Sequence, residues 1–219
     1  MSEPVLRTQG GVTLIGGGSV TREDLAEALA IAPHLVAADS GADQALAMGY
    51  RPEAVIGDFD SLGNDTRGAL PGDALHHVAE QDSTDFQKCL SRIRARFVLA
   101  VGFDGRRLDH TLAALNVMVR MPAPTTIMLA AEDVVFVCPP TLALDLPDGT
   151  RFSLFPMGQA QGTSEGLEWP IAGISFAPSG PGGTSNRVTG PVRLTMEGPM
   201  LVMVPRETLR HVLVGLRLW

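Results

Sequence analysis

Ala54-Val55-Ile56-Gly57-Asp58-Phe59-Asp60-Ser61 is a short apolar run that ends abruptly in two carboxylates one residue apart. It is too short for a helix and carries β-branched residues, so it predicts a buried strand with acids at its carboxyl end. In an open α/β sheet that edge is where ligands bind. Side chains at i and i+2 of an extended chain point the same way, so Asp58 and Asp60 share one ligand if strand geometry persists through them. Two like charges that close call for a cation. An all-oxygen site suits Mg²⁺, which takes one or two carboxylates plus substrate phosphate. A second reading stays open from the residues alone: a loop in which one Asp caps the next helix and the other is solvated.

The flanking segments repeat the strand-then-turn pattern. Residues 12–15 read as a strand running into Gly16-Gly17-Gly18-Ser19, and Thr21 with Asp24 three residues on predicts a helix cap ahead of an amphipathic stretch over 25–32. This resembles a phosphate-cradling turn, although neither G-x-G-x-x-G nor a G-K-[ST] ending is present. Residues 35–38 give a second strand ending in Asp39-Ser40-Gly41-Ala42-Asp43. Asp39 takes the strand-end position of a ligand, whereas Asp43 suits the first turn of a helix. Residues 75–78 predict a short fourth strand, in which His76 and His77 face opposite ways and form no metal pair. In Gln81-Asp82-Ser83-Thr84-Asp85-Phe86-Gln87-Lys88, Asp82 or Ser83 is expected to cap a helix through Ile93. Asp85 and Lys88 share a face near its start, where an anion docks. A strand over 97–101 leads into Gly102-Phe103-Asp104-Gly105-Arg106-Arg107-Leu108-Asp109-His110-Thr111 and a helix over 112–118. That loop suits phosphate recognition, or else holds a surface Arg–Asp pair with Asp109 as cap. Strands over 126–129 and 134–137 close this half.

Pro139-Pro140 marks a change of character. Beyond it the helical period disappears, and short runs over 142–146, 152–155, 171–176, 192–196, 201–204 and 212–218 alternate with Pro-Asp-Gly, Ser-Gly-Pro-Gly-Gly and Glu-Gly-Pro turn signals. The expected fold class is α/β then all-β. An N-terminal, mostly parallel, three-layer α/β domain occupies 1–138, and a C-terminal β-sandwich occupies 139–219.

The bulk numbers narrow the function classes. With 219 residues, 45% hydrophobic and 19% charged, the chain is an ordinary globular one. A net charge of −7 argues against a nucleic-acid binder or a protein resting on anionic lipid, yet leaves a metal-borne polyphosphate ligand open. Cys89 and Cys138 lie in apolar runs without C-x-x-C spacing and read as core thiols of a reducing compartment. Met1-Ser2-Glu3-Pro4 lacks a leader's basic region and no apolar run approaches ~18 residues, so a cytoplasmic location is expected.

The order and spacing of four motifs carry a resemblance. Asp39-Ser40-Gly41-Ala42-Asp43, Gly57-Asp58-Phe59-Asp60-Ser61, Asp82-Ser83-Thr84-Asp85-Phe86-Gln87-Lys88 and Gly105-Arg106-Arg107-Leu108-Asp109-His110 together resemble the thiamine pyrophosphokinase family. Ser164-Glu165-Gly166-Leu167-Glu168-Trp169-Pro170 and Thr184-Ser185-Asn186 look like its thiamine-side segments. The resemblance implies transfer of a pyrophosphoryl group from ATP to the thiamine hydroxyl, giving thiamine diphosphate and AMP. It also implies Mg²⁺ and a homodimer whose active sites lie at the subunit interface. Carried over by motif, Asp58, Asp60 and Asp85 hold metal. Asp39, Ser40, Gly41, Asp43, Arg107, Asp109 and His110 meet the nucleotide. Gln81, Asp82 and Lys88 fall on the polyphosphate and substrate segment, with Asp82 and Asp85 as the carboxylates considered for a catalytic base. Trp169 covers the thiamine ring, with Ser164, Ser185 and Asn186 beside it, and an indole against a cationic heteroaromatic ring is what cation–π attraction favours. The sequence departs from the family pattern at Ser40, Arg106 and Glu168. Rival readings are an aspartyl-phosphate phosphohydrolase built on the D-x-D, a pyrophosphokinase for another alcohol such as a pterin, and a non-catalytic nucleotide-binding module.

Overall fold

The computed structural model describes residues 3–219; Met1 and Ser2, which enter the leader reading, lie outside the described residues. The chain divides into two compact units, Met1–Ala130 and Ala131–Trp219.

The first unit is built on a parallel sheet. Its strands are β2 (Gly11–Ile15), β3 (His34–Ala38), β4 (Ala54–Gly57), β5 (Leu75–His77), β7 (Phe97–Val101) and β8 (Thr125–Leu129), while β1 (Leu6–Arg7) and β6 (Ile93–Arg94) form a small parallel ladder of their own. The spatial order is β8-β7-β2-β3-β4-β5, every neighbouring pair parallel. Both faces of such strands are covered, which is why β2, β4 and β7 read as unbroken apolar runs and are buried at every position. The chain adds strands to one side of β2 and then returns to its other side with β7. The order therefore reverses between β2 and β7, and a crevice at their carboxyl ends is the expected ligand position.

Helices α1 (Arg22–Ile31), α2 (Gly41–Ala47), α3 (Asn64–Ala69), α4 (Asp85–Arg92) and α5 (Leu108–Arg120) fill the connections. Thr21 caps α1 in a reciprocal box with Asp24, as its spacing predicted. For α4 the expectation fails by a residue or two: Thr84, not Asp82 or Ser83, caps it by accepting from the Gln87 N–H. Asp82 and Ser83 are instead drawn back to Glu80, whose carboxylate accepts from both of their amides. Helix α5 begins at Leu108, several residues before the predicted start, so Asp109 lies in its first turn rather than at its cap.

The second unit is antiparallel, with β9 (Asp133–Val137), β10 (Thr141–Leu144), β11 (Arg151–Pro156), β12 (Gln161–Leu167), β13 (Gly183–Glu197) and β14 (Met200–Pro205). The expected boundary at 138/139 is corrected to 130/131, because β9 pairs antiparallel with β14 and so belongs with the later strands. The all-β expectation is corrected too: residues 212–218 hold no strand, and α6 (Leu209–Gly215) packs against β10. Leu209, Val212 and Leu213, a helical spacing, are its buried face. The run over 171–176 is not a strand either and makes only an isolated bridge between Phe176 and Ala160. Strand β13 pairs with β11 through Gly183–Arg187 and with β10 and β12 through its later residues. Among the described residues no helix is long and apolar enough to cross a membrane.

Candidate active site

Strands β3 and β4 are register neighbours, with Ala38 beside Ile56, so the residues that come after them emerge side by side at the carboxyl edge. Asp39 follows β3 and is 3% exposed. Asp58 and Asp60 follow β4. One carboxylate oxygen from each of Asp39, Asp58 and Asp60 lies within 4.8 Å of the others. The approach is tight enough that Gly57 is required: a Cβ there would sit 2.9 Å from Asp39 Cβ.

The D-x-D does not work as an extended pair. Strand β4 stops at Gly57, and Phe59 takes a left-handed backbone at φ 63°. The turn is closed by the Asp60 N–H donating to Asp58 Oδ1 at 3.3 Å and the Ser61 N–H donating to Asp39 Oδ2 at 3.2 Å. Asp39 Oδ1 is buried and, among the described residues, has no hydrogen-bond partner. A buried carboxylate oxygen left so is costly unless something else meets it. Three carboxylates with one orphaned inner oxygen are a donor set for a hard divalent cation such as Mg²⁺.

The other charges form a second layer. Lys88, on α4, is 2% exposed, and its Nζ donates to Asp58 Oδ2 at 2.8 Å and to Asp85 Oδ1 at 3.0 Å. The Gln81 amide also donates to Asp58 Oδ2, at 3.0 Å. The Lys88 bond holds the Asp58 carboxyl below its usual range against the opposing effect of burial. Burial pushes the Asp85 carboxyl up, offset in part by Lys88. For Lys88 burial works against the charge, but bonds to both carboxylates outweigh it and its ammonium is held more firmly than usual. Asp85 is thus tied to the acidic group through Lys88. The trio whose oxygens converge contains Asp39 in the place that the motif carry-over gave to Asp85. A strand-end carboxylate on the neighbouring strand was the signal available, and only the β3–β4 pairing shows that the two strand ends meet.

The glycine-rich turn lies at the reversal of strand order. Gly16 N–H donates to Val101 O at 2.9 Å, Gly18 N–H to Gly102 O at 2.7 Å and Ser19 N–H to Asp104 O at 3.1 Å, joining the loops after β2 and β7. Gln44 of α2 donates to Gly18 O at 3.0 Å. Sequence reading did not single out Gln44. Gly41 touches the same place, since a Cβ there would fall 2.3 Å from Ile15 O. Ser40 precedes α2 without a side-chain cap bond, and Asp43 accepts from the Gly63 N–H, so Asp43 fixes the loop before α3. Arg107, Asp109 and His110 are exposed at the start of α5. Arg107 and Asp109 are joined by two bonds of 3.2 and 2.6 Å, which lower the Asp109 carboxyl.

The four remaining predicted residues lie in the second unit. Trp169 is 53% exposed, and its main chain is clamped by buried Asn186, which accepts from Trp169 N–H at 3.1 Å and donates to Trp169 O at 2.7 Å. Ser164 Oγ accepts from Ile171 N–H at 3.1 Å, and Ser185, at φ 60°, donates its N–H to Ser153 Oγ at 3.0 Å. Glu168 pairs with Arg187 at 3.4 Å, so its charge has a partner within the unit.

The family model described as thiamin pyrophosphokinase, catalytic domain, matches residues 25–130, ending where the first unit ends. A thiamine pyrophosphokinase of Oryza sativa subsp. japonica is 28% identical over 174 residues, 70% of this chain and 66% of that protein. Over its first unit the chain is thus similar to the thiamine pyrophosphokinase family. A second relative in that family, from Arabidopsis thaliana, is 30% identical over 161 residues, 64% of this chain and 59% of the relative. The chain thus spans about three fifths to two thirds of these relatives' length. Two solved structures of the family share the fold. The thiamin pyrophosphokinase from Candida albicans has a TM-score of 0.77 at 16% identity, covering 94% of each chain. That from Geobacillus thermodenitrificans has a TM-score of 0.73 at 21% identity, covering 89% of this chain and 96% of its own.

Proposed function

We propose that this chain is a thiamine pyrophosphokinase, transferring a pyrophosphoryl group from ATP to the hydroxyl of thiamine with release of AMP. The observation that carries the reading is the acidic trio of Asp39, Asp58 and Asp60 with its orphaned oxygen, set beside the glycine-rich turn on a fold of this family. We assign the catalytic and nucleotide-binding role to the first unit. The second is read as a β-sandwich that presents Trp169 to the thiamine ring and joins two copies in a dimer working in the cytoplasm.

Asp39, Asp58 and Asp60 would hold Mg²⁺, which when bound neutralises the triphosphate and lets its charge build during transfer. The chain's own groups do the positioning. Lys88 and Gln81 keep Asp58 ionised and oriented. The loops after β2 and β7 offer a backbone ledge at the expected nucleotide crevice, and Arg107 supplies a guanidinium at the start of α5 that exchanges Asp109 for phosphate. The thiamine oxygen bonds the β-phosphorus as the bond from that phosphorus to the AMP oxygen breaks, and the hydroxyl proton passes to a carboxylate, Asp82 or Asp85. Alignment and charge neutralisation are most of the catalytic task.

The test is AMP formation from ATP and Mg²⁺ with and without thiamine. AMP should appear only with thiamine, and Asp58→Asn should abolish it while the fold persists. Phosphate release without an acceptor, or a near-normal rate in the variant, rejects the reading.

A further inference from the structure

We propose that Phe59 is a positioning residue, whose ring, gripped between Arg67 and His77, holds the backbone step that brings Asp58 and Asp60 together at Asp39. The inference deepens the metal reading above and rests on it. A left-handed φ of 63° is ordinary for Gly or Asn but an outlier for a bulky side chain, and such outliers persist where surrounding structure fixes them. Here strand pairing does not fix it, because β4 ends at Gly57.

Two other elements do. The Arg67 guanidinium, on α3, stands over the Phe59 ring at 5.3 Å, and the His77 ring, at the end of β5, meets it at 5.5 Å between centroids with the planes inclined at 42°. The ring is therefore anchored to both the next helix and the next strand. The geometry it maintains matters for ligand convergence. Asp39, Asp58 and Asp60 each place an oxygen within 4.8 Å of the others. The left-handed step lies between Asp58 and Asp60, and the amides that follow it donate to Asp58 and Asp39. Gly could adopt this backbone without strain, so what Phe contributes is the grip.

The experiment compares Phe59→Ala, Phe59→Gly and Phe59→Tyr with the unmodified chain by two readouts, after thermal unfolding has shown each to be folded. Mn²⁺ affinity is measured by titration without nucleotide, and hydrogen exchange is followed at the Asp60 and Ser61 amides. Phe59→Ala and Phe59→Gly should weaken Mn²⁺ binding about 10- to 100-fold, as loss of a group supporting metal ligands does, and should speed exchange at both amides. Phe59→Tyr should restore both. Wild-type affinity and exchange in the Ala and Gly variants overturn the inference. An unmodified chain that takes no Mn²⁺, or takes it equally after Asp39→Asn, overturns the metal reading instead. The exchange rates then still decide whether Phe59 holds the turn.

Discussion

Replacing Lys88 with Met keeps most of the side-chain volume and removes the charge that joins Asp58 to Asp85. Removing one partner of a buried ion pair costs about 3–5 kcal/mol, because the other charge is left uncompensated. Here the group removed is the driest of the three, at 2% exposure, while the carboxylates left behind are 12% and 33% exposed at Asp58 and Asp85. Water reaches both, and Gln81 still donates to Asp58, so the expected loss is about 2–3 kcal/mol at pH 7. The pH dependence comes from the shifts. Asp58 has its folded pKa below the ordinary 3.8, so its contribution is present above that value and lost as pH falls through the lower folded one. Without Lys88 that depression disappears, and burial with mutual repulsion raises both carboxyls. The variant then sheds its penalty as pH falls from 7 toward 4.5 and the gap to the unmodified chain narrows. On the alkaline side only the unmodified chain loses stability as Lys88 deprotonates above its ordinary 10.5, since that pKa is raised in the fold. Urea unfolding at pH 4.5, 7 and about 11.5 measures all three. A loss below about 0.5 kcal/mol at pH 7, within the range of an exposed pair, or a gap that does not shrink in acid, would refute the buried-pair account.

Asp39→Asn removes one of three converging charges, so the metal-free variant should unfold at a higher temperature than the unmodified chain. Mg²⁺ at a hundred times its Kd should stabilise the unmodified chain by about 2.7 kcal/mol and the variant not at all, as thermal unfolding in EDTA and in MgCl₂ would show. Gly57→Ala drives a methyl to 2.9 Å from Asp39 Cβ, and should cost about 1–3 kcal/mol while lowering Mg²⁺ affinity in the same titration. Asn186→Ala strips both bonds from the Trp169 main chain. It should cost about 1–3 kcal/mol in denaturant unfolding and raise KM for thiamine more than it lowers kcat, whereas an unchanged KM would detach Trp169 from the substrate.

The parallel sheet was legible because its strands are buried on both sides and therefore spell unbroken apolar runs between turn residues; Ala54–Gly57 and Phe97–Val101 show this best. The antiparallel unit was harder to read. Strand β12, Gln-Gly-Thr-Ser-Glu-Gly-Leu, has little apolar signal, since only Leu167 is buried along it. The run ending at Leu218 reads as a strand because Val and Leu there satisfy either period, whereas burial against β10 makes it a helix. The candidate site residues stand out by type and motif, but their grouping does not. Nothing local tells that Asp39 rather than Asp85 completes the trio, because that depends on which strands are neighbours. The left-handed step at Phe59 is likewise invisible to a reading that extrapolates the strand through it.

The long strand β13 also dictates when the second unit can come into being. Among the described residues β10 and β12 pair with no strand but β13, although both precede it in the chain. During synthesis they must wait, unpaired, until residues 192–197 have left the ribosome, and such long-separated pairings are slow to form and expose edges meanwhile. A chain interrupted after Phe176 would carry a sheet whose keystone had not yet been made.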